Sequence, residues 1–266
     1  MAFNGKNVLI TGASMGIGES IARKIAAEGA NLALFARSED KLKGITADLQ
    51  KQYQSSKVIF KAIDLQSYEP VEKAVNETVR ELGDIDILIN NAGLALGAPA
   101  AFPDLKVCDI VTMNSTNING LMFVSYAVLN SSMVRRKEGT ILNVTSVTGL
   151  EVPPFPGEAV YHSNKAAQEA FTNALRNELT GTNIRVLALR PGVVATNFHS
   201  LRVGHEKKMY DSFMEGYTPL ESDDIADAAI YMLSQPLNIS VKALDVVPSA
   251  QRSLNIFDRS WSERNK

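Results

Sequence analysis

Short apolar runs alternate with longer amphipathic stretches along almost the whole chain. Seven runs are expected to be buried strands, at residues 7–10, 32–35, 58–60, 85–89, 140–144, 184–189 and 241–247. Apolar residues at helical spacing lie between them, as where Ile17, Ile21 and Ile25 repeat before Gly29 ends the segment. This alternation predicts an α/β protein with one doubly wound, parallel, seven-stranded sheet. We expect a single domain over residues 1–250 and a polar C-terminal tail over 251–266.

Composition narrows the class of protein without identifying it. The 266 residues are 45% hydrophobic and 21% charged, as is usual for a soluble globular chain. The net charge of −2 gives no general attraction to nucleic acid or to an anionic membrane. Cys108 is the single cysteine, which excludes an internal disulfide and a zinc site of paired thiolates. Without a signal-like start, or an apolar run of about 18–20 residues, a cytoplasmic protein with no membrane span is expected.

A glycine-rich turn follows the first predicted strand. Gly12, Gly16 and Gly18 separate that strand from the first helix. Glycines in this place let the backbone approach a pyrophosphate, and the helix N-terminus offers N–H groups and a partial positive charge. The spacing G-x-x-x-G-x-G differs from the commoner G-x-G-x-x-G, and a merely flexible turn is the alternative interpretation.

The end of the second strand predicts which nicotinamide cofactor is bound. A carboxylate there would bind the ribose hydroxyls of NAD and repel a 2′-phosphate. The chain instead has Arg37, whose guanidinium can hold a phosphate through two hydrogen bonds. The sequence therefore predicts NADP(H), unless Arg37 is an ordinary solvated surface residue.

Tyr161 and Lys165 are the strongest candidates for acid–base chemistry. Four residues apart, they lie on one face of a predicted helix. An ammonium one turn away favours the phenolate and would move the tyrosine pKa toward a useful range. Ser146 ends the fifth strand and would face the same crevice, although a turn-forming role would also explain it. Asn117 is unusual inside a helix, which suggests a positional duty such as holding a proton-relay water.

Together these motifs resemble the short-chain dehydrogenase/reductases over about residues 5–250. The motifs are Thr11-Gly12-x-x-x-Gly16-x-Gly18, Asn90-Asn91-Ala92-Gly93, Asn117, Ser146, Tyr161-x-x-x-Lys165 and Pro191-Gly192. The resemblance implies a Rossmann fold in which Tyr161 gives the proton, Lys165 lowers its pKa and binds the nicotinamide ribose, Ser146 polarises the carbonyl and Asn117 orders the relay. It also implies a cofactor site formed by Gly12, Ser14, Gly16, Ile17, Gly18, Arg37, Asp64, Leu65, Asn91, Ala92, Gly93, Tyr161, Lys165, Pro191, Gly192, Val194 and Thr196.

Two departures from the family pattern affect the expected site. Met15 stands where many NADP-dependent members have a basic residue, so the phosphate contact would rest on Arg37 and Ser14. The segment from Ser146 to Tyr161 is two residues longer than expected. Its three prolines should make residues 151–157 a stiff wall of the substrate pocket, or else a surface excursion.

A further likeness suggests the substrate. The segments 91–97, 196–204 and 248–251 resemble the branch that oxidises 3-hydroxy acids such as serine and allo-threonine with NADP. Within the expected capping segment, about 196–218, Arg202 could bind a substrate carboxylate with Ser146 and Tyr161 nearby; pairing with Glu206 or another acid at the surface is the alternative. The expected reaction interconverts a secondary alcohol and a carbonyl compound. Reduction of bulkier ketones or aldehydes and non-catalytic NADP binding are the other possibilities.

The resemblance also bears on partners. Family members commonly form dimers or tetramers through two long helices, here about 117–134 and 159–180, so a homo-oligomer acting on a small molecule is expected. His162, His199 and His205 do not form a recognisable metal triad, and no metal is expected.

Overall fold

A seven-stranded parallel sheet forms the centre of the protein. The computed structural model describes residues 2–153, 156–202 and 207–265. The strand order is β3-β2-β1-β4-β5-β6-β7, which confirms the predicted fold class. The strands are β1 Asn7–Thr11, β2 Asn31–Ala36, β3 Val58–Ala62, β4 Ile87–Asn90, β5 Glu138–Val144, β6 Asn183–Pro191 and β7 Ala243–Val246.

Helices cover both faces of this sheet. They are α1 Gly16–Ala27, α2 Glu39–Gln52, α3 Tyr68–Leu82, α4 Val107–Asn114, α5 Leu121–Val128, α6 Val134–Arg136, α7 Ala159–Glu178, α8 Asn197–Arg202, α9 Lys207–Met214, α10 Ser222–Leu233 and α11 Trp261–Arg264. In the described part of the chain, none is both long enough and apolar enough to cross a bilayer.

Strand residues alternate between two apolar layers. Val8 and Ile10 of β1 pack with Ile21 of α1 on one face of the sheet. Leu9, between them, packs with Val75 of α3 on the other face. Successive side chains of a strand point to opposite faces, so a run that is apolar at every position requires a layer of helices on each side.

The helical stretch over residues 107–136 is irregular. Two π-helical segments, Ser115–Gly120 and Leu129–Met133, interrupt it between α4, α5 and α6. It ends at Lys137, which has a left-handed φ of 55°. π-Helical turns are rare and occur often at functional sites, and the first of these two contains Asn117.

The strand order places a crevice at the centre of one sheet edge. From β1 the chain moves outward to β3, and then returns to β4 on the opposite side of β1. The connections after β1 and β4 therefore leave the sheet in opposite directions, and the gap between them is where doubly wound proteins bind ligands.

Candidate active site

A cavity of about 1030 Å³ opens at the carboxyl ends of the strands. It joins the glycine turn to the Tyr161 helix. The residues expected at the site that line it are Gly12, Ser14, Gly16, Ile17, Arg37, Asp64, Leu65, Asn91, Ala92, Gly93, Ser146, Tyr161, Lys165, Pro191, Gly192, Val194, Thr196 and Arg202. Gly18 and Asn117 are the two that do not; both lie behind this surface.

The glycine turn requires glycine for geometric reasons. Gly12 and Gly16 have φ values of 65° and 58°, which side chains disfavour. A Cβ at Gly12 would lie 2.8 Å from the Cα of Ala92, and one at Gly18 would lie 2.5 Å from Asn91 Nδ2. Gly18 therefore permits close packing behind the turn, and a merely flexible turn does not account for these contacts.

Hydrogen bonds fasten this turn to the end of β4. The Asn91 amide nitrogen donates to the backbone oxygens of Thr11 and Gly12, at 3.1 and 3.2 Å. The Thr11 hydroxyl oxygen accepts from the backbone N–H groups of Asn91 and Ala92. This network brings the two predicted motifs together across the crevice.

Polar residues surround the end of the cavity beside β2. Arg37 is exposed and directly follows β2, with Ser38 next to it. Met15 lines the same end and is 38% exposed, so this position does not supply a second cation. Asp64 accepts a hydrogen bond from the backbone of Gln66 at 3.1 Å.

Tyr161 and Lys165 lie one turn apart on α7, and both are nearly inaccessible. The Lys165 ammonium is 5.8 Å from the centre of the Tyr161 ring. It donates to the backbone oxygen of Val144 at 3.1 Å and to Gln168 Oε1 at 3.0 Å. Burial lowers the pKa of Lys165 to about 8, and the negative charge of Glu169 opposes that change.

The pKa of Tyr161 differs from the sequence-based expectation. Burial raises it to about 12, whereas the positive charge of Arg202 and a hydrogen-bonding contact with Ser146 lower it. The Glu158 carboxylate raises it further. The expected lowering by Lys165 is not found in this structure, because the ammonium is directed to Val144 and Gln168 and burial dominates.

Ser146 caps a turn and also lines the cavity. Its hydroxyl oxygen accepts from the Thr148 N–H at 3.1 Å and so caps the short 3₁₀ turn Val147–Gly149. It also lines the cavity, in contact with Tyr161. Capping fixes the backbone and hydroxyl of Ser146 at the cavity wall beside Tyr161.

Asn117 is fully buried, and its side chain holds the backbone beside the cavity. Its Oδ1 accepts from the Leu94 N–H at 2.9 Å, and its Nδ2 donates to the Leu94 oxygen at 2.8 Å. Nδ2 also donates to Asn164 Oδ1 at 3.1 Å. The amide thus ties α7 and the segment after β4 to the π-helical turn.

Arg202 is buried rather than at the surface. It is 5% exposed and forms an ion pair through Nε with Glu158, which is 2% exposed. The suggested partner Glu206 lies outside the described residues. Because Arg202 ends α8 and Glu158 immediately precedes α7, the pair holds α8 against α7.

Several residues at this end of the cavity were missed from the sequence. Phe198, Leu201 and Phe213 line it from the capping helices, and the Phe198 ring lies 5.5 Å from that of Tyr161. Leu254 lines it from the C-terminal segment. For Phe198, Leu201 and Phe213, the apolar spacing within these short helices is the sequence feature that indicates a buried face.

The C-terminal segment is folded. β8 Gln251–Ser253 and β9 Ile256–Phe257 form an antiparallel hairpin, and α11 follows. The Leu254 N–H donates to Glu151 Oε2 at 2.8 Å. Residues 151–153 and 156–157, the described part of the expected proline wall, do not line the cavity, whereas Leu254 of the C-terminal segment does. Residues 154–155 lie outside the described residues.

Within residues 2–153, 156–202 and 207–265 there is no group of three or more His, Cys, Asp or Glu side chains that could hold a metal ion.

The short chain dehydrogenase family model matches residues 6–206, and this chain belongs to that family. The chain is 38% identical over 253 residues to an NADP-dependent 3-hydroxy acid dehydrogenase of Schizosaccharomyces pombe, covering 95% of this chain and 96% of that one. It is 34% identical to a serine 3-dehydrogenase of Agrobacterium fabrum and 35% identical to sulfoacetaldehyde reductase 2 of Chromohalobacter salexigens, each over 92% of this chain and 94% of the relative.

Solved structures of dehydrogenases have the same fold as this chain. The closed form of serine dehydrogenase complexed with NADP⁺ superposes with a TM-score of 0.82 at 30% identity, over 93% of this chain and 96% of that one. An alcohol dehydrogenase of Thermococcus sibiricus complexed with 5-hydroxy-NADP gives 0.79 at 31% identity, over 93% and 98%.

Proposed function

We propose that this chain is an NADP(H)-dependent oxidoreductase that interconverts a hydroxyl group and a carbonyl group of a small 3-hydroxy acid. The observation that carries the proposal is a single cavity with two chemically different ends. One end has the glycine turn and Arg37, and the other has Ser146, Tyr161 and Arg202. The names of the relatives support both the cofactor and the substrate class.

The cavity fits a dinucleotide in shape and in charge. Gly12 and Gly16 keep the backbone clear at the N-terminus of α1, where a pyrophosphate would lie. Arg37 and Ser38 would hold a 2′-phosphate, and Asn91 and Gly93 would line the path to the nicotinamide end. When bound, the cofactor supplies or accepts the hydride.

The residues at the other end would handle the proton. Ser146 and Tyr161 would hold the carbonyl oxygen between their hydroxyls. A phenol with a pKa of about 12 is protonated at neutral pH, which is the form needed to donate to that oxygen. The charges of Lys165 and Arg202 would stabilise the phenolate that donation leaves behind.

The Arg202 guanidinium favours a substrate with a negative group near the reacting carbon. Arg202 lines the cavity, and its charge affects the pKa of the Tyr161 hydroxyl. A short acid whose carbonyl contacts Tyr161 would bring its carboxylate to the same charge. Serine has a carboxylate and sulfoacetaldehyde a sulfonate, and in each the anionic group is on the carbon next to the one that bears the hydroxyl or carbonyl oxygen; both are named for relatives.

We expect replacement of Arg202 to affect acidic substrates selectively. Loss of Arg202 alone would leave Glu158 charged and buried, which destabilises the fold. The double variant Glu158→Gln, Arg202→Met removes both charges. Its KM for serine should rise about 10- to 100-fold, the usual cost of a lost hydrogen bond to a charged group, while KM for a neutral alcohol changes little.

The single variant Glu158→Gln is the matched control, because it retains Arg202 and should keep the preference for acids. Equal losses on acidic and neutral substrates in the double variant would refute carboxylate binding by Arg202. That outcome would favour the second candidate function, reduction of bulkier ketones or aldehydes, which the apolar side chains of Phe198, Phe213 and Leu254 make reasonable.

Arg37 provides a separate test of the cofactor. We expect Arg37→Met to raise the Kd for NADPH about 10- to 100-fold, because a charge-assisted pair with the 2′-phosphate is lost. The Kd for NADH should stay nearly constant. Fluorescence titration with both cofactors measures this, with Arg80→Met, an exposed arginine on α3, as the control. A clear preference of the wild-type protein for NAD(H) would contradict the role given to Arg37.

A further inference from the structure

Gln168 joins the two elements that bear the candidate catalytic residues. It lies three residues after Lys165 on α7, is 2% exposed and does not line the cavity. Its Oε1 accepts from the Lys165 ammonium at 3.0 Å. Its Nε2 donates to the backbone oxygen of Asn117 at 2.6 Å. A buried primary amide therefore bridges the ammonium and the π-helical turn.

The chemistry of the two partners fixes the orientation of this amide. Lysine ammonium has donors only, and a backbone carbonyl accepts only. The amide oxygen must therefore face Lys165, and the amide nitrogen must face Asn117. A rotated amide would place donor against donor and acceptor against acceptor at a side chain that is only 2% exposed.

The irregular helix makes the Asn117 carbonyl available to Gln168. In an α-helix, the Leu121 N–H would donate to the Asn117 oxygen, four residues earlier. Here it donates to the Ile118 oxygen instead. The π-helical turn thus directs one backbone carbonyl toward α7, and the Gln168 amide satisfies it.

Two further hydrogen bonds hold Gln168 in place. The Thr172 hydroxyl donates to the backbone oxygen of Gln168 at 2.6 Å. The same hydroxyl accepts from Asn143 Nδ2 at 2.8 Å. Asn143 belongs to β5, so the residue that contacts Lys165 is connected to the sheet as well as to the π-helical turn.

We propose that Gln168 is a positioning residue for this reaction, which holds the Lys165 ammonium in its charged form and aims its remaining N–H into the cavity. Of the three ammonium hydrogens, Val144 and Gln168 take two. The nitrogen itself lies beside the cavity wall at Gly93, where an added Cβ would be 3.7 Å from it, so the third hydrogen is left for the cavity. The inference rests on the catalytic roles proposed for Tyr161 and Lys165, and on no particular substrate.

Among the described residues, few titratable groups face the Lys165 ammonium. On α7 they are Tyr161, and Glu169, which is paired with Arg190 of β6 at 2.8 Å. Arg202 of α8 lowers the pKa of Tyr161 through its positive charge. Gln168 is a neutral side-chain acceptor that contacts the ammonium directly, beside the Val144 carbonyl, and it stabilises the charge without adding a second charge.

The test is the pH dependence of kcat for carbonyl reduction at saturating NADPH. On the basic side of the pH profile, activity falls as the coupled Tyr161 and Lys165 pair loses a proton. This falling part of the profile is its basic limb. Gln168→Leu removes the acceptor, so we expect this limb to move to lower pH by about one unit, with KM for NADPH changed less than kcat. Gln168→Glu keeps an oxygen facing the ammonium, so its limb should stay at or above that of the wild type.

The control is Thr78→Val, which removes a fully buried hydroxyl of α3, remote from the cavity. It should lower thermal stability without moving the limb. A Gln168→Leu enzyme with the wild-type limb, or a Gln168→Glu limb displaced to lower pH, would overturn the proposal. If Gln168→Leu fails to fold, the Gln168→Glu limb decides alone.

The Tyr161→Phe variant separates this inference from the proposed function. If Tyr161→Phe is active, the catalytic assignment itself fails. If Tyr161→Phe is inactive and Gln168→Leu retains the wild-type limb, only the positioning role fails.

Discussion

Tyr161→Phe should lower kcat by about 10²- to 10⁴-fold, the usual contribution of a positioned general acid or base. The substitution removes the one hydroxyl on α7 that both lines the cavity and contacts Ser146. The ring remains, so its packing against Phe198 is retained. NADPH affinity, measured by fluorescence titration, should therefore change little while turnover is lost.

Tyr126→Phe is the matched control, because Tyr126 is 60% exposed on α5 and does not line the cavity. It should have wild-type kinetics. An active Tyr161→Phe enzyme would mean that another group delivers the proton. If a function independent of turnover survived in this variant, the chain would be a non-catalytic NADP-binding regulator.

Lys165→Met should lower kcat by a similar amount, about 100-fold or more. The ammonium is the charge on α7 that would stabilise a Tyr161 phenolate, and in the resting structure it is already desolvated. NADPH affinity should fall as well, since Lys165 also lines the cofactor cavity. Steady-state kinetics with Lys165→Arg as the charge-retaining comparison measure this, and near-normal kcat in Lys165→Met would contradict the role of the charge.

Lys165→Met also tests whether burial lowers the pKa of Lys165, through the pH dependence of the free energy of unfolding. The pKa of Lys165 is about 8 in the folded protein, whereas the ordinary value for a lysine is 10.5. Between these values the unfolded chain retains a proton that the folded chain has released, so the free energy of unfolding of the wild type rises with pH. Lys165→Met lacks this contribution, and the wild type should gain stability relative to it from about pH 8 to about pH 10. A difference that is constant over this range would show that the pKa is not lowered.

The fold was predictable from the sequence because its pattern is local. A run such as Val8, Leu9 and Ile10 is apolar on both faces, and four-residue spacing in α1 marks one buried side. Such segments in alternation allow few arrangements other than a parallel, doubly wound sheet. Parallel strands end at one edge, so Gly12, Asn91 and Ser146 were expected to meet there, and they do.

Contacts between distant segments were not predictable. Glu158 and Arg202 are 44 positions apart, and Glu151 and Leu254 are 103 apart. Nothing in their local sequence indicates the partner. The π-helical turn at Asn117 was also missed, because its apolar spacing resembles that of an ordinary helix. Gln168 resembled any polar residue of an amphipathic helix until its two hydrogen bonds were seen.

The electrostatics of the site were the least predictable feature. Spacing alone indicated that Lys165 lies near Tyr161, but not where its ammonium points. Burial, which spacing does not report, raises the pKa of Tyr161, and Arg202 is the cation that opposes this effect.

Self-association through residues 117–134 and 159–180 stays a prediction.

Purified protein mixed with NADP and a panel of alcohols gives the most direct test of the proposed activity. The panel should include serine, allo-threonine and a neutral secondary alcohol, with NADPH formation followed by absorbance. We expect reduction of NADP, little reduction of NAD, and a higher kcat/KM for the hydroxy acids than for the neutral alcohol. Binding of NADP without turnover of any of these alcohols, or a preference for the neutral one, would contradict the proposed reaction on small 3-hydroxy acids.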